Sequence, residues 1–154
     1  MNGTFSGVLA GGVQDYHPYG GHSISNGRIY LHDKIDWDGS GDDAELALSF
    51  GGIVNRLSIN VTPFKTIRYH IFGSASYGNR VHSIRVNIIL MRRDKSRITY
   101  LYNNITSATY IDIFDVDVSY INEPIFIAVN GSGLSYDPDS RPHDMYISQI
   151  DFLV

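Results

Sequence analysis

Residues 58–73, SINVTPFKTIRYHIFG, decide the fold. Leu57, Ile59 and Val61 alternate with Arg56, Ser58 and Asn60, giving one apolar and one polar face of a strand. Thr62-Pro63 interrupts the pattern. Proline cannot donate to a sheet ladder, and it pushes the residue before it towards extended geometry. A second alternation follows, with Ile67, Tyr69 and Ile71 against Arg68, His70 and Phe72, and Gly73 ends it. Two half-buried strands around a proline turn need a sheet with one face turned inward, hence a sandwich or barrel.

Working towards the N-terminus, Gly51-Gly52 reads as a turn into this hairpin. Residues 44–50 have local helix preference, but Leu46, Leu48 and Phe50 alternate, so they read as a strand. Residues 33–43, DKIDWDGSGDD, form a polar loop. Ile29 and Leu31 alternate with Arg28, Tyr30 and His32 in a further strand. Residues 11–22 are a loop on their turn residues, and residues 5–9 fit a short edge strand.

Towards the C-terminus, Ile84, Val86, Ile88 and Leu90 alternate with Arg85, Asn87, Ile89 and Met91. This long strand is apolar on both sides near its end, and residues 98–102 return from it. The charged run 92–97, RRDKSR, reads as the hairpin tip between them. Over 110–118 the phase slips at Ile113-Phe114, which predicts a bulge or two short strands. Ile125, Ile127 and Val129 form a strand ended by Asn130-Gly131. Residues 145–154 close the chain, with Tyr146, Ser148, Ile150 and Phe152 alternating against Ile147, Gln149, Asp151 and Leu153. About nine strands and no helix predict an all-β fold: a two-sheet antiparallel β-sandwich of jelly-roll topology, as one domain over residues 1–154.

A net charge of −4 is the wrong field for nucleic acid as a default partner. No apolar run approaches membrane-spanning length, so no membrane insertion by a helix is expected. The chain has no cysteine, and with it no thiol nucleophile and no disulfide framework. It contains no G-x-S-x-G elbow, no H-E-x-x-H and no phosphate-cradling glycine loop. Tyr69 and His70 are strand neighbours and point to opposite faces. These readings predict a protein that is not an enzyme, although jelly-roll scaffolds also carry polysaccharide-active enzymes.

Three stretches carry a family resemblance. INVTPFKTIRYHIFG resembles the I-D-L-T-x-Y-x-x-L turn and strand of carbohydrate-binding-module-like domains in phage tail and baseplate proteins. FDVDVSYINEPIFIAVNGSG is similar to their L-D-V-S-x-L-x-G-x-Y-Y-I-x-I stretch, and MYISQIDFLV to their closing strand. The stretches fall within residues 57–154. Where those domains often have Gly-x-Tyr-Tyr, this chain has Glu123-Pro124-Ile125-Phe126, so the aromatic is kept only as Phe126. The resemblance implies a non-catalytic sandwich that binds a cell-surface or cell-wall saccharide. It implies a host-adhesion module of the virion tail, working outside the cell, with other tail or baseplate proteins as further partners. The alternative is a virion adaptor domain that binds those proteins and no sugar.

A saccharide site needs an exposed aromatic plane for the C–H face of a pyranose, with polar groups beside it for the hydroxyls. Counting alternate strands from 28–32 gathers the loops 73–82, 103–109 and 131–144 at one end and the loop 33–43 at the other. The first end then carries Tyr77 and Tyr136 for stacking, with Asn79, Asp137, Arg141 and His143 as hydrogen-bonding partners. Residues 131–144 are long for a hairpin connection, which favours a functional loop. The outer face of a sheet around Arg85 and Asn87 ranks second. Trp37, Tyr16, His17 and Tyr19 stand as readily for packing as for contact.

No cofactor is required by this reading. The acidic loop places oxygens at Asp36, Asp38, Ser40 and Asp42, as at the start of a calcium loop. The twelfth position is then Ala47 where a bidentate glutamate would stand. The expectation is either an Asp/Gly-rich surface turn or a structural calcium.

Overall fold

The computed structural model describes residues 3–4, 12–16, 21–36, 46–74, 76–77, 80–81, 83–105, 109–135 and 145–154. Among these are fourteen strand segments and no helix. They are β1 (Gly3–Thr4), β2 (Val13–Asp15), β3 (Gly21–Ser25), β4 (Arg28–Asp36), β5 (Leu46–Asn55), β6 (Ile59–Asn60) and β7 (Thr66–Ser74). Then come β8 (Ser76–Tyr77), β9 (Arg80–Val81), β10 (Ser83–Met91), β11 (Arg97–Ile105), β12 (Thr109–Asp117), β13 (Pro124–Ser135) and β14 (Met145–Leu153). Nine of them run five residues or more; eight fall on strands read from the alternation, and β3 does not.

The strands form two antiparallel layers. The first runs β12-β7-β14-β4, with β3 outside β4, and the second runs β11-β10-β13-β5. This is the strand order of a jelly roll. One strand belongs to both layers. Ile29–Leu31 of β4 pair with Ile147–Met145 of β14, and Asp33–Asp36 then pair with Phe50–Ala47 of β5. The β3–β4 hairpin turns on Asn26-Gly27, both at positive φ (51° and 73°), the backbone that a two-residue Asn-Gly loop requires.

The core lies between the layers. Ile29, Leu31, Ile67, Tyr69, Ile71, Ile147, Ile150 and Phe152 face it from the first layer, and Ile53, Val86, Ile88, Leu90, Ile127 and Val129 from the second. The Thr62-Pro63 turn forms, with Phe64 N–H donating to Val61 O at 2.9 Å, but the hairpin expected around it does not: Ile59–Asn60 pair with β13, and β7 pairs with β12 and β14. The tip 92–96 also turns as expected, closed by Arg92 N–H to Ser96 O at 2.8 Å.

Several sequence expectations are corrected. β13 runs on through Asn130-Gly131 to Ser135, β4 runs on to Asp36 in the expected polar loop, and Val13–Asp15 form a strand inside the loop expected over 11–22. Gly51-Gly52 is no turn but lies inside β5, which runs through to Asn55. The strand expected over 57–61 shrinks to Ile59–Asn60, and Leu57 is 67% exposed. β12 pairs with β7 without a break from Thr109 to Asp117, so the slip at Ile113-Phe114 is no bulge. Ile113 simply faces out, 57% exposed. The bulge sits in β14, between Ile147 and Gln149, where Ser148 and Gln149 are both exposed and the inward phase moves to Ile150 and Phe152.

Register fixes which strand ends share an end of the sandwich. Asp36 lies opposite Ala47, Leu46 opposite Ser135, and Ser83 opposite Leu134. Ile84 lies opposite Ile105, Thr109 opposite Ser74, and Gly73 opposite Met145. The strand ends around 75–82, 106–108 and 136–144 therefore meet at one end, in keeping with the alternation count. Those around 37–45 meet there too, which corrects the placement of the acidic stretch at the opposite end. Because β5 continues through the two glycines, the chain crosses the sandwich one time fewer than the sequence count assumed.

Candidate functional site

The outer face of the second layer departs from the ordinary polar exterior of a sandwich. On β10, Val86, Ile88 and Leu90 turn inward and are fully buried. Their neighbours Asn87, Ile89 and Met91 turn outward yet are only 5–6% exposed. Ile89 and Met91 join Val54 and Ala128 in a second apolar cluster, with Tyr16 and Phe126 packed against it. Register lays this face out in rows. Tyr102, Asn87 and Asn130 are cross-strand neighbours, and Tyr100, Ile89, Ala128, Val54 and Gln14 form the next row. Met91 and Phe126 form the row after that.

β11 is the edge strand, and its alternation turns Tyr100 and Tyr102 to this face at 37% and 52% exposure. Their ring centroids are 6.0 Å apart. The Tyr100 hydroxyl donates to Asn87 Oδ1 at 2.5 Å. Cations lie against the rings. The Arg85 guanidinium is 4.2 Å from the Tyr102 centroid, and that of Arg97 is 5.2 Å from Tyr100. The Lys95 ammonium is 3.4 Å from the Phe126 centroid. Lys95 reaches it from the hairpin turn, where it takes a left-handed backbone (φ 70°).

Across the face, Tyr16 N–H donates to Gly52 O at 2.8 Å. A Cβ on Gly52 would stand 2.8 Å from Asn130 Cβ and 3.0 Å from Tyr16 Cβ, so only glycine lets both side chains close in. A cleft of about 360 Å³ lies here, lined by Gln14, Asp15, Tyr16, Val54, Met91 and Lys95. His22 holds Asp15 at its edge, Nδ1 to Oδ1 at 2.6 Å. Flat rings, carboxamides and cations around a shallow cleft make a surface equipped for binding.

The first layer has an aromatic row of its own. Phe72 stacks on Tyr146 at 4.8 Å, Tyr30 meets Tyr146 at 5.2 Å, and Arg28 lies 4.6 Å over the Tyr146 ring. There the rings pack on one another and are half-buried. Beside them Arg68 pairs with Asp115 through two contacts of 2.8 and 2.9 Å, and His70 Nε2 sits 3.0 Å from Asp151 Oδ2. The Arg68 guanidinium holds the Asp115 carboxyl below its ordinary range, first by hydrogen bonding and then by charge.

Of the rim residues read from the sequence, Tyr77 lies in β8, its backbone opposite Arg80. Asn79, Tyr136, Asp137, Arg141 and His143 fall outside the described residues. Of the acidic loop, Asp36 ends β4, while Asp38, Ser40 and Asp42 fall outside them, as do Trp37, His17 and Tyr19. Among the described residues there is no group of three His, Asp or Glu placed to hold a metal. Among them there is also no helix long and apolar enough to cross a membrane, which says nothing of strands. The second-ranked candidate, Arg85 and Asn87, is the one brought together with exposed tyrosines. Sequence reading passed over Tyr100 and Tyr102, took Lys95 and Arg97 only as part of a charged hairpin tip, and noted Phe126 only as the aromatic kept in the family pattern. The signal was two tyrosines at a spacing of two in a strand with a charged hairpin before it.

No family model matches the chain, and no curated protein matches it. Among solved structures, the enzymatically active domain of Bacteriophage CBA120 tailspike protein 4 is similar over 86% of this chain at 11% identity and a TM-score of 0.42. The match spans about a fifth of the tailspike domain, 21% of its length. A carbohydrate-binding module of family 29 is similar over 92% of this chain and 87% of its own, at 10% identity and a TM-score of 0.39. A structure titled for carbohydrate-binding module CBM4 is similar over 88% and 81%, again at 10% identity and 0.39. Likeness this remote fixes neither the family nor the ligand of the chain.

Proposed function

We propose that the chain is a non-catalytic saccharide-binding module that takes its ligand on the outer face of the second layer. The observation that carries this reading is the Tyr100–Tyr102 pair, half-exposed on an edge strand with Asn87 hydrogen-bonded beside it. Exposed rings spaced along one strand meet the apolar faces of successive sugar units. The nearly buried carboxamide of Asn87 acts by holding the Tyr100 hydroxyl at this face, which is of the right chemistry for a sugar hydroxyl. Tyr77, Asn79, Tyr136, Asp137, Arg141 and His143 belong to the proposal as an extension of the site towards the end of the sandwich. A structural calcium on Asp36, Asp38, Ser40 and Asp42 belongs to it as well, and chelation lowering Tm is its test.

The biological setting, host adhesion by a virion tail or baseplate protein, is supported by the sequence resemblance of residues 57–154. A glycan array with the intact chain and with Tyr100→Ala, Tyr102→Ala and Tyr136→Ala tests the reading. Loss of binding in the first two variants, at unchanged Tm, supports the sheet face. Loss in Tyr136→Ala alone moves the site to the loop end. An intact chain that binds no glycan but co-purifies with tail proteins replaces the reading with the adaptor.

A further inference from the structure

The aromatic rings of this face are not bare. Each of Tyr102, Tyr100 and Phe126 carries a cation against it: Arg85, Arg97 and Lys95, at 4.2, 5.2 and 3.4 Å from the ring centroids. A cation over a ring already satisfies the ring's negative face. It also holds N–H groups in place beside the ring, where an acidic group on a sugar lying along that ring can reach them. A guanidinium braced on a ring is pre-ordered to grip a carboxylate or sulfate through two hydrogen bonds.

Charge elsewhere on the face agrees. Among the described residues, no carboxylate stands in the three register rows. None lies within ion-pair distance of Lys95 or Arg97. Asp94, next to Lys95, turns back to accept from Ser96 N–H at 2.9 Å, and Asp15 across the cleft is engaged by His22. In a chain of net charge −4, Lys95 and Arg97 with no acid between them among the described residues of the face make a local reversal of field.

We infer that the ligand of this face is an anionic polysaccharide, whose acidic groups meet Arg97 and Lys95 while its rings lie along Tyr100 and Tyr102. The inference rests on the saccharide reading above and narrows it to a substrate class.

The test uses the full chain against polygalacturonate, alginate, hyaluronate and dextran sulfate. The three uronates are presented again after carboxyl reduction, beside the neutral polymers dextran, mannan and xylan. Polyglutamate and single-stranded DNA serve as anions without the sugar chemistry. The expected result is binding to at least one acidic polymer that carboxyl reduction or desulfation abolishes. That binding should weaken steeply between 50 and 500 mM salt, and by about tenfold in each of Arg97→Gln and Lys95→Gln. Equal binding to acidic and neutral forms overturns the inference and leaves the saccharide reading standing. Binding to polyglutamate or DNA as tight as to the best glycan overturns it in favour of an unselective charged surface. Binding to no glycan overturns both.

Discussion

Tyr100 on the edge strand and Asn87 on its neighbour are joined through the tyrosine hydroxyl, which donates to the carboxamide oxygen at 2.5 Å. The bond spans the diagonal between two register rows, since Asn87 is directly opposite Tyr102. It fixes the ring and the amide as one unit. Tyr100→Ala removes both the ring and the donor, and is expected to weaken saccharide binding at least tenfold in an equilibrium titration. Tyr100→Phe keeps the ring and removes only the donor, and should cost a few-fold. A phenylalanine variant as impaired as the alanine variant would place the hydroxyl, rather than the ring, at the centre of recognition.

Gly52 is the position where the face tolerates no side chain. An alanine Cβ would meet Asn130 Cβ at 2.8 Å and Tyr16 Cβ at 3.0 Å. Both contacts are with atoms close to the backbone, so the strands themselves must shift. Gly52→Ala is expected to destabilise by about 1–3 kcal/mol, read as a lower urea midpoint. Tyr16 should become more accessible to solvent in the same variant.

Tyr69 is fully buried, and its hydroxyl has no hydrogen-bond partner. Burial pushes its ionisation far above the ordinary phenol range. An unpaired buried hydroxyl costs free energy that a ring alone does not. Tyr69→Phe is therefore expected to be neutral or to stabilise by about 1 kcal/mol in chemical denaturation. A clear loss of stability would reveal a partner for the hydroxyl.

Acid should loosen the first layer. Asp115 is held below its ordinary carboxylate range by Arg68, so its folded pKa lies under its unfolded one. The stabilisation is then fully present above about pH 4 and is lost as pH falls through the lower folded value. Both side chains are more than 40% exposed, at 41% and 47%, so the contribution is small and salt-sensitive. Asp115→Asn should flatten the decline of Tm below pH 4, and 0.5 M salt should do the same to the parent protein.

The fold was legible wherever a strand buries one face. Residues 66–74 alternate as read, and residues 83–91 pair with the return strand expected after them, but β7 pairs with β12 and β14 rather than with the strand before the proline turn. Legibility failed where a strand does something besides alternate. Gly51-Gly52 imitates a turn because small residues serve both to reverse a chain and to let side chains close over it. Ile113 imitated a bulge because an exposed isoleucine breaks the hydrophobic code without breaking the register. In β14 the real bulge was hidden, because Ser148 and Gln149 are polar and both outward. The sheet-face site was only half visible. Arg85 and Asn87 stood out as polar residues in an apolar strand. Nothing in the chain order showed that Lys95, in the hairpin turn, would reach Phe126 thirty-one positions on.

Because β4 pairs with β14 through its first half and with β5 through its second, the hydrogen-bonded ladder has no seam between the layers. Peeling either layer away means rupturing the strand that threads through both. Melting should then be all-or-none, with the slowest-exchanging amides of both layers becoming unprotected together. A domain joined in this way resists prising apart from its flanks.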